Sequence, residues 1–274
     1  MRTATTALSC DRVRPRLGRV AIYAGSAVAL WLSGLAMFGA AYGDRYAERV
    51  ADRVGESLQA ASTVEEGELS LVRGRLALAG IRARRDDDVG RLALDVSEVR
   101  CEMLPLGLAL ADRTCRELAI TGLRLDVSTP AVFKVKRPKR APIRADSVVI
   151  EDAVLELSPT GDAGVARVSV KLERADAGAT TFKTPLSWLF ALRTLRASVA
   201  TALGSFELAY DEGELRVSGG PVGSGAIVLS IVLPIADPAD DPHAELQRIV
   251  AFGREVMDRV VKQRITRLLG TPTP

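Results

Sequence analysis

The chain has 274 residues, a formal net charge of +3 and a single histidine. A charge so close to balance gives no general case for nucleic-acid binding, and one histidine excludes most catalytic arrangements built on a histidine base or a zinc centre. Apolar residues make up 47% of the chain and aromatic residues only 4%, which predicts an aliphatic core. We therefore expect neither an enzyme nor a resident cofactor.

The first predicted element is a membrane helix over residues 20–42. This run is uncharged and mostly apolar, and about 20 such residues span a hydrocarbon core about 30 Å thick. Basic residues dominate the tail at 1–19, whereas charges of both signs follow the run, so the positive-inside rule places the tail in the cytoplasm. The alternative is a cleaved signal peptide, although its apolar core is usually only about 7–15 residues. Gly39 and Gly43 have the spacing of a helix-dimer motif.

After the span, helical spacing gives way to β alternation. Residues 43–66 predict a helical connector, because charged side chains separate apolar residues at helical spacing. Residues 67–235 predict an antiparallel, amphipathic β-sheet, because short runs alternate apolar and polar residues between turn signals. The alternating apolar positions are Leu69, Leu71, Leu76, Leu78, Leu92, Leu94, Val96, Leu106, Leu108, Leu118, Ile120, Leu123 and Leu125.

Two of the three cysteines lie in the predicted β domain. Cys101 and Cys115 are on the far side of the membrane from Cys10, in a compartment that permits disulfides. A bridge between them would close a loop of about 15 residues and stabilise the fold by roughly 3 kcal/mol. We predict this bridge, and the alternative is two buried free thiols.

A basic, proline-punctuated segment, FKVKRPKRAPIR, interrupts the strands at 133–144. Such a segment suits contact with anionic lipid head groups, and the alternative is a solvated linker. The candidate head-group contacts are Lys134, Lys136, Arg137, Lys139 and Arg140.

Residues 240–270 predict a C-terminal amphipathic helix. Asp240 and Asp241 offer a cap, Pro242 suits the first helical position, and apolar residues follow at helical spacing. We predict that this helix docks on the sheet, and the alternative is that it lies on an anionic membrane surface.

The order of these features resembles the AsmA-like proteins of bacterial envelopes over about residues 18–160. The segments that carry the resemblance are GELSLVRGRLALAGI (67–81), RLALDVSEV (91–99), PLGLALADRTCRELAITGLRLDVSTP (105–130) and ADSVVIEDAVLELSP (145–159). The resemblance implies a periplasmic β-sheet rolled into an incomplete groove whose apolar inner face shields acyl chains. It also implies a part in phospholipid transport and outer-membrane integrity.

The resulting expectation is a single-pass protein of the bacterial inner membrane with a periplasmic main domain that binds or transfers lipid. The alternating apolar positions would then face lipid, although they would look the same in a closed sandwich. The chain is too short to cross the periplasm alone, so it would act locally, pair with copies of itself or use other envelope proteins. A second hypothesis is a non-enzymatic envelope scaffold that binds protein partners through its β domain and C-terminal helix.

Overall fold

Strands paired into one mixed sheet make up most of the protein in the computed structural model. The structure describes residues 30, 31, 33, 34, 37, 39, 42–56, 58–87, 90–105, 114–128, 143–158, 167–182, 187–201, 204–219, 227–230 and 242–268. The prediction of a mainly β protein with flanking helices is therefore confirmed.

The described residues of helix α1 are 30, 31, 33, 34, 37, 39, 42–56 and 58, and helix α2 covers Pro242–Leu268. A short 3₁₀ helix covers Ser187–Ala191. The strands are β1 (Ala61–Thr63), β2 (Glu66–Ser70), β3 (Arg75–Asp87), β4 (Gly90–Glu102), β5 (Thr114–Ser128), β6 (Ile143–Ser158), β7 (Val168–Ala177), β8 (Thr180–Phe182), β9 (Leu192–Thr201), β10 (Gly204–Asp211), β11 (Glu214–Gly219) and β12 (Ile227–Ser230).

The strand order is β1-β3-β4-β5-β6-β7-β9-β10-β11-β12, with β2 beside β3 and β8 beside β6. Neighbouring strands are antiparallel except β5 and β6, which are parallel, so the prediction of a wholly antiparallel sheet is wrong at this pair. A parallel neighbour needs a connection of about a dozen residues or more, and residues 129–142 separate the two strands. Alternation reports which face a side chain occupies, and it carries no information on strand direction.

The helical connector predicted over 43–66 ends earlier than expected. The backbone N–H of Ala60 donates to the Gly55 carbonyl at 3.0 Å, and Gln59 has a φ of 53°, so the chain turns there. Strand β1 and the first residue of β2 therefore lie inside the range that we predicted to be helical. The C-terminal helix, Pro242–Leu268, lies within the predicted range 240–270.

Most of the predicted membrane span at 20–42 lies outside the described residues. Among the residues that are described, no helix is both long and apolar enough to cross a membrane. The basic tail at 1–19 and most of the basic segment at 133–144 also lie outside the described residues.

A line of irregular positions crosses the central strands at one level. The pairing of β3 with β4 skips Gly80 and Ser97, the pairing of β4 with β5 skips Ser97 and Gly122, and β6 has Asp152 at a φ of 53° beside them. An extra residue of this kind bends a strand and shifts its alternation by one. Because the shift occurs at the same point along each of these neighbouring strands, their apolar side chains remain on one face of the sheet from end to end.

Helix α1 packs closely against β2 through a stripe of small residues. A Cβ atom added to Gly43 would lie 2.2 Å from the Gly67 carbonyl oxygen, and one added to Gly39 would lie 2.3 Å from the Leu69 carbonyl oxygen. Ala47, in the same stripe, is buried. The Gly39 and Gly43 spacing, which in the sequence is only a weak signal for a helix dimer, thus serves an intramolecular contact between a helix and a strand.

The predicted disulfide is present between Cys101 and Cys115, with a Cα–Cα distance of 5.4 Å. The two residues lie near the ends of adjacent strands β4 and β5, and both are buried in the largest core cluster. The bridge therefore joins the end of β4 to the start of β5.

Replacing both Cys101 and Cys115 with Ser should lower the free energy of unfolding by about 3 kcal/mol, because the unfolded chain regains the entropy of a loop of about 15 residues. Urea unfolding with and without reductant measures the loss. Cys10→Ser is the matched control and should leave the midpoint unchanged. Equal midpoints for the wild type and the double variant, both without reductant, would contradict the prediction.

Candidate functional site: an apolar face between two helices

The strand register places apolar residues in rows that run across one face of the sheet. Each row takes one residue from each successive strand, so that neighbours in a row are direct cross-strand partners. One row contains Leu78, Val99, Ile120, Ile150, Ala175, Leu195, Tyr210, Leu215 and Leu229. Two rows further along the strands, another row contains Ala83, Leu94, Leu125, Leu155, Val170, Val199 and Phe206.

Three elements cover parts of this face, and the residues beneath them are buried. Helix α1 packs its Ala47 over β3 and β4, and Leu58 packs against Leu92 of β4 and Val127 of β5. Trp188 of the 3₁₀ helix packs in the cluster formed by β6 and β7. Val260 of α2 is only 4% exposed and packs against residues of β10, β11 and β12. The C-terminal helix α2 therefore docks on the sheet, as predicted.

A buried arginine holds the far end of α1 in place. Arg85 lies on the apolar face of β3, with its side chain only 5% exposed, and its Nη1 donates to the Leu58 carbonyl at 2.9 Å. A guanidinium beside the carbonyl groups at the end of a helix is favourable, because the helix dipole is negative there. This contact fixes where α1 ends over the sheet.

Between these covers, the middle strands leave their apolar side chains only partly buried. The exposed parts belong to β5, β6, β7, β9 and β10, and they adjoin one another through the row register. A continuous apolar surface of this kind is a common mark of a binding site. We call it the central apolar face, and it consists of Leu123, Leu125, Leu155, Leu157, Val168, Val170, Val199 and Phe206.

The structure divides the sequence-predicted apolar set by burial. Five members are partly buried, and two of them, Leu123 and Leu125, belong to the central apolar face: Leu76, Leu94, Ile120, Leu123 and Leu125. Fully buried members support the fold and offer no surface to a ligand: Leu69, Leu71, Leu78, Leu92, Val96 and Leu118. Two predicted apolar positions, Leu106 and Leu108, and all five predicted head-group contacts lie outside the described residues: Lys134, Lys136, Arg137, Lys139 and Arg140.

The sequence interpretation missed the half of the central apolar face that comes from later strands. Leu155 and Leu157 alternate with Glu156, and Val168 and Val170 alternate with Ser169, so the period-two signal is present in the sequence. What the sequence lacks is the order of the strands: β6 pairs with β5, which places Leu155 beside Leu125, and β7 pairs with β6, which places Val170 beside Leu155. Parallel pairing was not anticipated, and the later strands were therefore not assigned to this face.

The opposite face of the sheet is charged and is crossed by ion pairs. Arg91 Nη2 lies 2.9 Å from Asp126 Oδ2, and Arg174 Nη1 lies 2.7 Å from Glu151 Oε1. Arg174 also donates to Asp176, and Thr194 Oγ1 donates to the same carboxylate at 2.8 Å. The hydrogen bond from Arg174, with that from Thr194, lowers the pKa of Asp176, while partial burial opposes the shift; the same contact raises the pKa of Arg174.

Asp176→Asn should reduce stability at neutral pH by up to about 1 kcal/mol, the range of exposed ion pairs. Because the pKa of Asp176 is lowered in the folded state, its contribution is present above the unfolded-state pKa and is lost as pH falls through the folded-state pKa. The difference between wild type and variant should therefore shrink below about pH 4. Urea unfolding at pH 7 and pH 3 measures it, with Glu173→Gln as the neighbouring control. A difference that is unchanged at pH 3 would contradict the assignment.

No protein-family model matches the chain, and no curated protein matches its sequence. Within the described ranges, no group of three or more His, Cys, Asp or Glu side chains is arranged to hold a metal ion. The two faces of the sheet are therefore the candidate functional surfaces.

Proposed function

We propose that this protein binds the acyl chains of lipids on the central apolar face and acts as a membrane-anchored lipid-binding or lipid-transfer protein of the bacterial envelope. The observation that carries the proposal is that large apolar side chains on five adjacent strands remain partly exposed, while the same face is buried on both sides under α1 and α2. Binding an apolar ligand there would remove this surface from water. The resemblance of residues 18–160 to the AsmA-like family supports the same function.

The dimensions of the central apolar face suit an acyl chain. Five adjacent strands at a spacing of about 4.8 Å span roughly 19 Å between the first and the last. One leaflet contributes about half of a hydrocarbon core that is about 30 Å thick. An acyl chain taken from one leaflet can therefore lie across the strands with most of its length on aliphatic side chains.

The direction of α1 supports an anchor at one end of the sheet. Along α1, Gly39 lies against the Leu69 carbonyl, and at the far end of the helix the Leu58 carbonyl accepts from Arg85. Leu30 and Met37 precede Gly39 and are 74% and 76% exposed. In the proposal, residues 20–42 anchor the protein in the inner membrane, and the end of the sheet that contains Leu69 and Cys101 is nearest to the bilayer.

The proposal is tested by photo-crosslinking full-length protein in detergent to a phospholipid that carries a diazirine on its acyl chain. Val170→Thr with Val199→Thr adds hydroxyl groups to the central apolar face with little change of shape, and it should reduce the yield of adduct severalfold. The matched control is Val154→Thr with Val228→Thr, two residues on the opposite face. Absence of any adduct, or equal yields from the two pairs, would sink the proposal.

One observation favours the second candidate function, a scaffold that binds envelope proteins. On α2, Met257, Val261 and Ile265 recur every four residues, and each is about half exposed. Exposed apolar stripes of this kind occur where helices meet protein partners. A photoreactive amino acid at Val261 in cells should then form a protein adduct that is lost in Met257→Ser with Ile265→Ser. An adduct with lipid alone would exclude the scaffold function for this stripe.

A further inference from the structure

The charged face of the sheet contains a cavity of about 650 Å³ formed by β7, β9, β10 and β11. Three arginines that lie in one cross-strand row line this cavity: Arg174, Arg196 and Arg216. Arg174 is directly opposite Arg196, and Ala209 lies between Arg196 and Arg216 in the register. The small side chain of Ala209 leaves the space between the two flanking arginines open.

The arrangement of the arginines is electrostatically unfavourable by itself. Like charges directly opposite each other on neighbouring strands destabilise a sheet. Arg174 is compensated by Glu151 and Asp176, at 2.7 and 2.9 Å. Arg196 and Arg216 are exposed, and neither makes an ion pair in the part of the chain that the structure describes. Two guanidinium groups thus face the same cavity without a partner among these residues.

The next row of side chains in the cavity again places two like charges together, and here the charges are negative. Asp211 is directly opposite Glu214, at the tight turn that joins β10 to β11, and both line the cavity. Neither carboxylate forms an ion pair with Arg196 or Arg216 among the described residues, although successive residues of one face are only about 6.6 Å apart along a strand. A cationic pair and an anionic pair therefore stand side by side instead of alternating.

We infer that this cavity binds a small zwitterion that carries a phosphate group and a primary ammonium group. Arg196 and Arg216 donate to the phosphate oxygens above Ala209, and Asp211 with Glu214 accepts from the ammonium. Guanidinium groups match phosphate because they present several donors in one plane. A phosphate fits better than a carboxylate, because its oxygens are arranged tetrahedrally around phosphorus and can accept from two arginines that approach from different sides, whereas the two oxygens of a carboxylate lie in one plane. The cavity is on the face opposite the central apolar face, so the inference stands independently of the proposed function.

Calorimetric titration of the full-length protein in detergent, at low ionic strength, tests the inference. The probes are glycerol 3-phosphate, which has only the anionic group, and sn-glycero-3-phosphoethanolamine, which has both groups. Arg196→Gln with Arg216→Gln should weaken both by about tenfold or more, since two charge-assisted contacts are lost. Asp211→Asn with Glu214→Gln should weaken only the phosphoethanolamine probe and should tighten glycerol 3-phosphate.

Arg124→Gln is the control, because Arg124 is an exposed arginine of the same face outside the cavity. It should leave both affinities unchanged. Melting curves should show that the double arginine variant is at least as stable as wild type, because unfavourable contacts have been removed. The inference would be overturned if neither probe bound at millimolar concentration. It would also be overturned if Arg124→Gln weakened binding as much as the double arginine variant, or if the carboxylate variant lost binding of both probes.

A further comparison identifies the source of the ligand. If lysophosphatidylethanolamine binds tenfold tighter than sn-glycero-3-phosphoethanolamine, the ligand is a lipid head group, and if the two bind with equal affinity, it is a free compound.

Discussion

Replacing Val256 and Val260 with Asp should unfold the end of the sheet formed by β10, β11 and β12, and it should lower the free energy of unfolding by roughly 3 kcal/mol or more. Val260 is buried and Val256 is partly buried against Tyr210, Leu215, Val217, Ile227 and Leu229. Burying a valine side chain contributes roughly 1.5–3 kcal/mol, and a carboxylate placed there has no partner to offset its desolvation. Thermal unfolding followed by circular dichroism measures the loss.

The matched control uses the same helix and the same change of charge. Met257→Asp with Val261→Asp alters two apolar residues that are about half exposed. Because these positions face away from the core cluster, the change should stay within about 1 kcal/mol. If the two double variants lose the same stability, the docked stripe contributes nothing beyond helix propensity, and our account of α2 is wrong.

Gly43→Ala should destabilise the protein by roughly 1–3 kcal/mol, although alanine is the better helix former. A Cβ atom at position 43 would lie 2.2 Å from the Gly67 carbonyl oxygen and 3.2 Å from its carbon. Both are backbone atoms of β2, so α1 must move away from the strand, and overpacking of this kind typically costs about 1–3 kcal/mol. Urea unfolding of the full-length protein in detergent measures the change.

Gly253→Ala is the control with the opposite expected sign. Gly253 lies within α2, and an added Cβ would meet no atom within 4 Å. The gain in helix propensity is then unopposed and should stabilise the protein by about 0.5–1 kcal/mol. If Gly43→Ala also raised the free energy of unfolding, the close approach of α1 to β2 would be absent in solution.

The alternation of residues such as Leu76 and Leu78, or Leu123 and Leu125, was sufficient to predict strands with one apolar face. Strand alternation has a period of two, and it is set by local backbone geometry, so a sequence carries it directly. The pairing of Cys101 with Cys115 was also predictable, because the predicted β domain contained no other cysteine. Helix α2 followed from its cap, its proline and its apolar spacing.

The central apolar face was only half predictable. Leu123 and Leu125 were identified, whereas Leu155 and Val170, which continue the row of Leu125, were not, because a row across the sheet depends on which strands are neighbours. Burial was not predictable either. Leu94 and Val96 have the same alternation in the sequence, yet Val96 lies under α1 and is buried while Leu94 remains partly exposed.

The sequence by itself determined the elements that local periodicity and chain chemistry specify: the amphipathic strands, the C-terminal helix and the disulfide. Only the tertiary structure decided which strands are neighbours, where α1 and α2 cover the sheet and which apolar residues remain open. It also placed Arg196 and Arg216 beside Asp211 and Glu214 in one cavity. The physical reason is that each of these features depends on contacts between residues far apart in the chain, and no local pattern of side chains encodes a long-range partner.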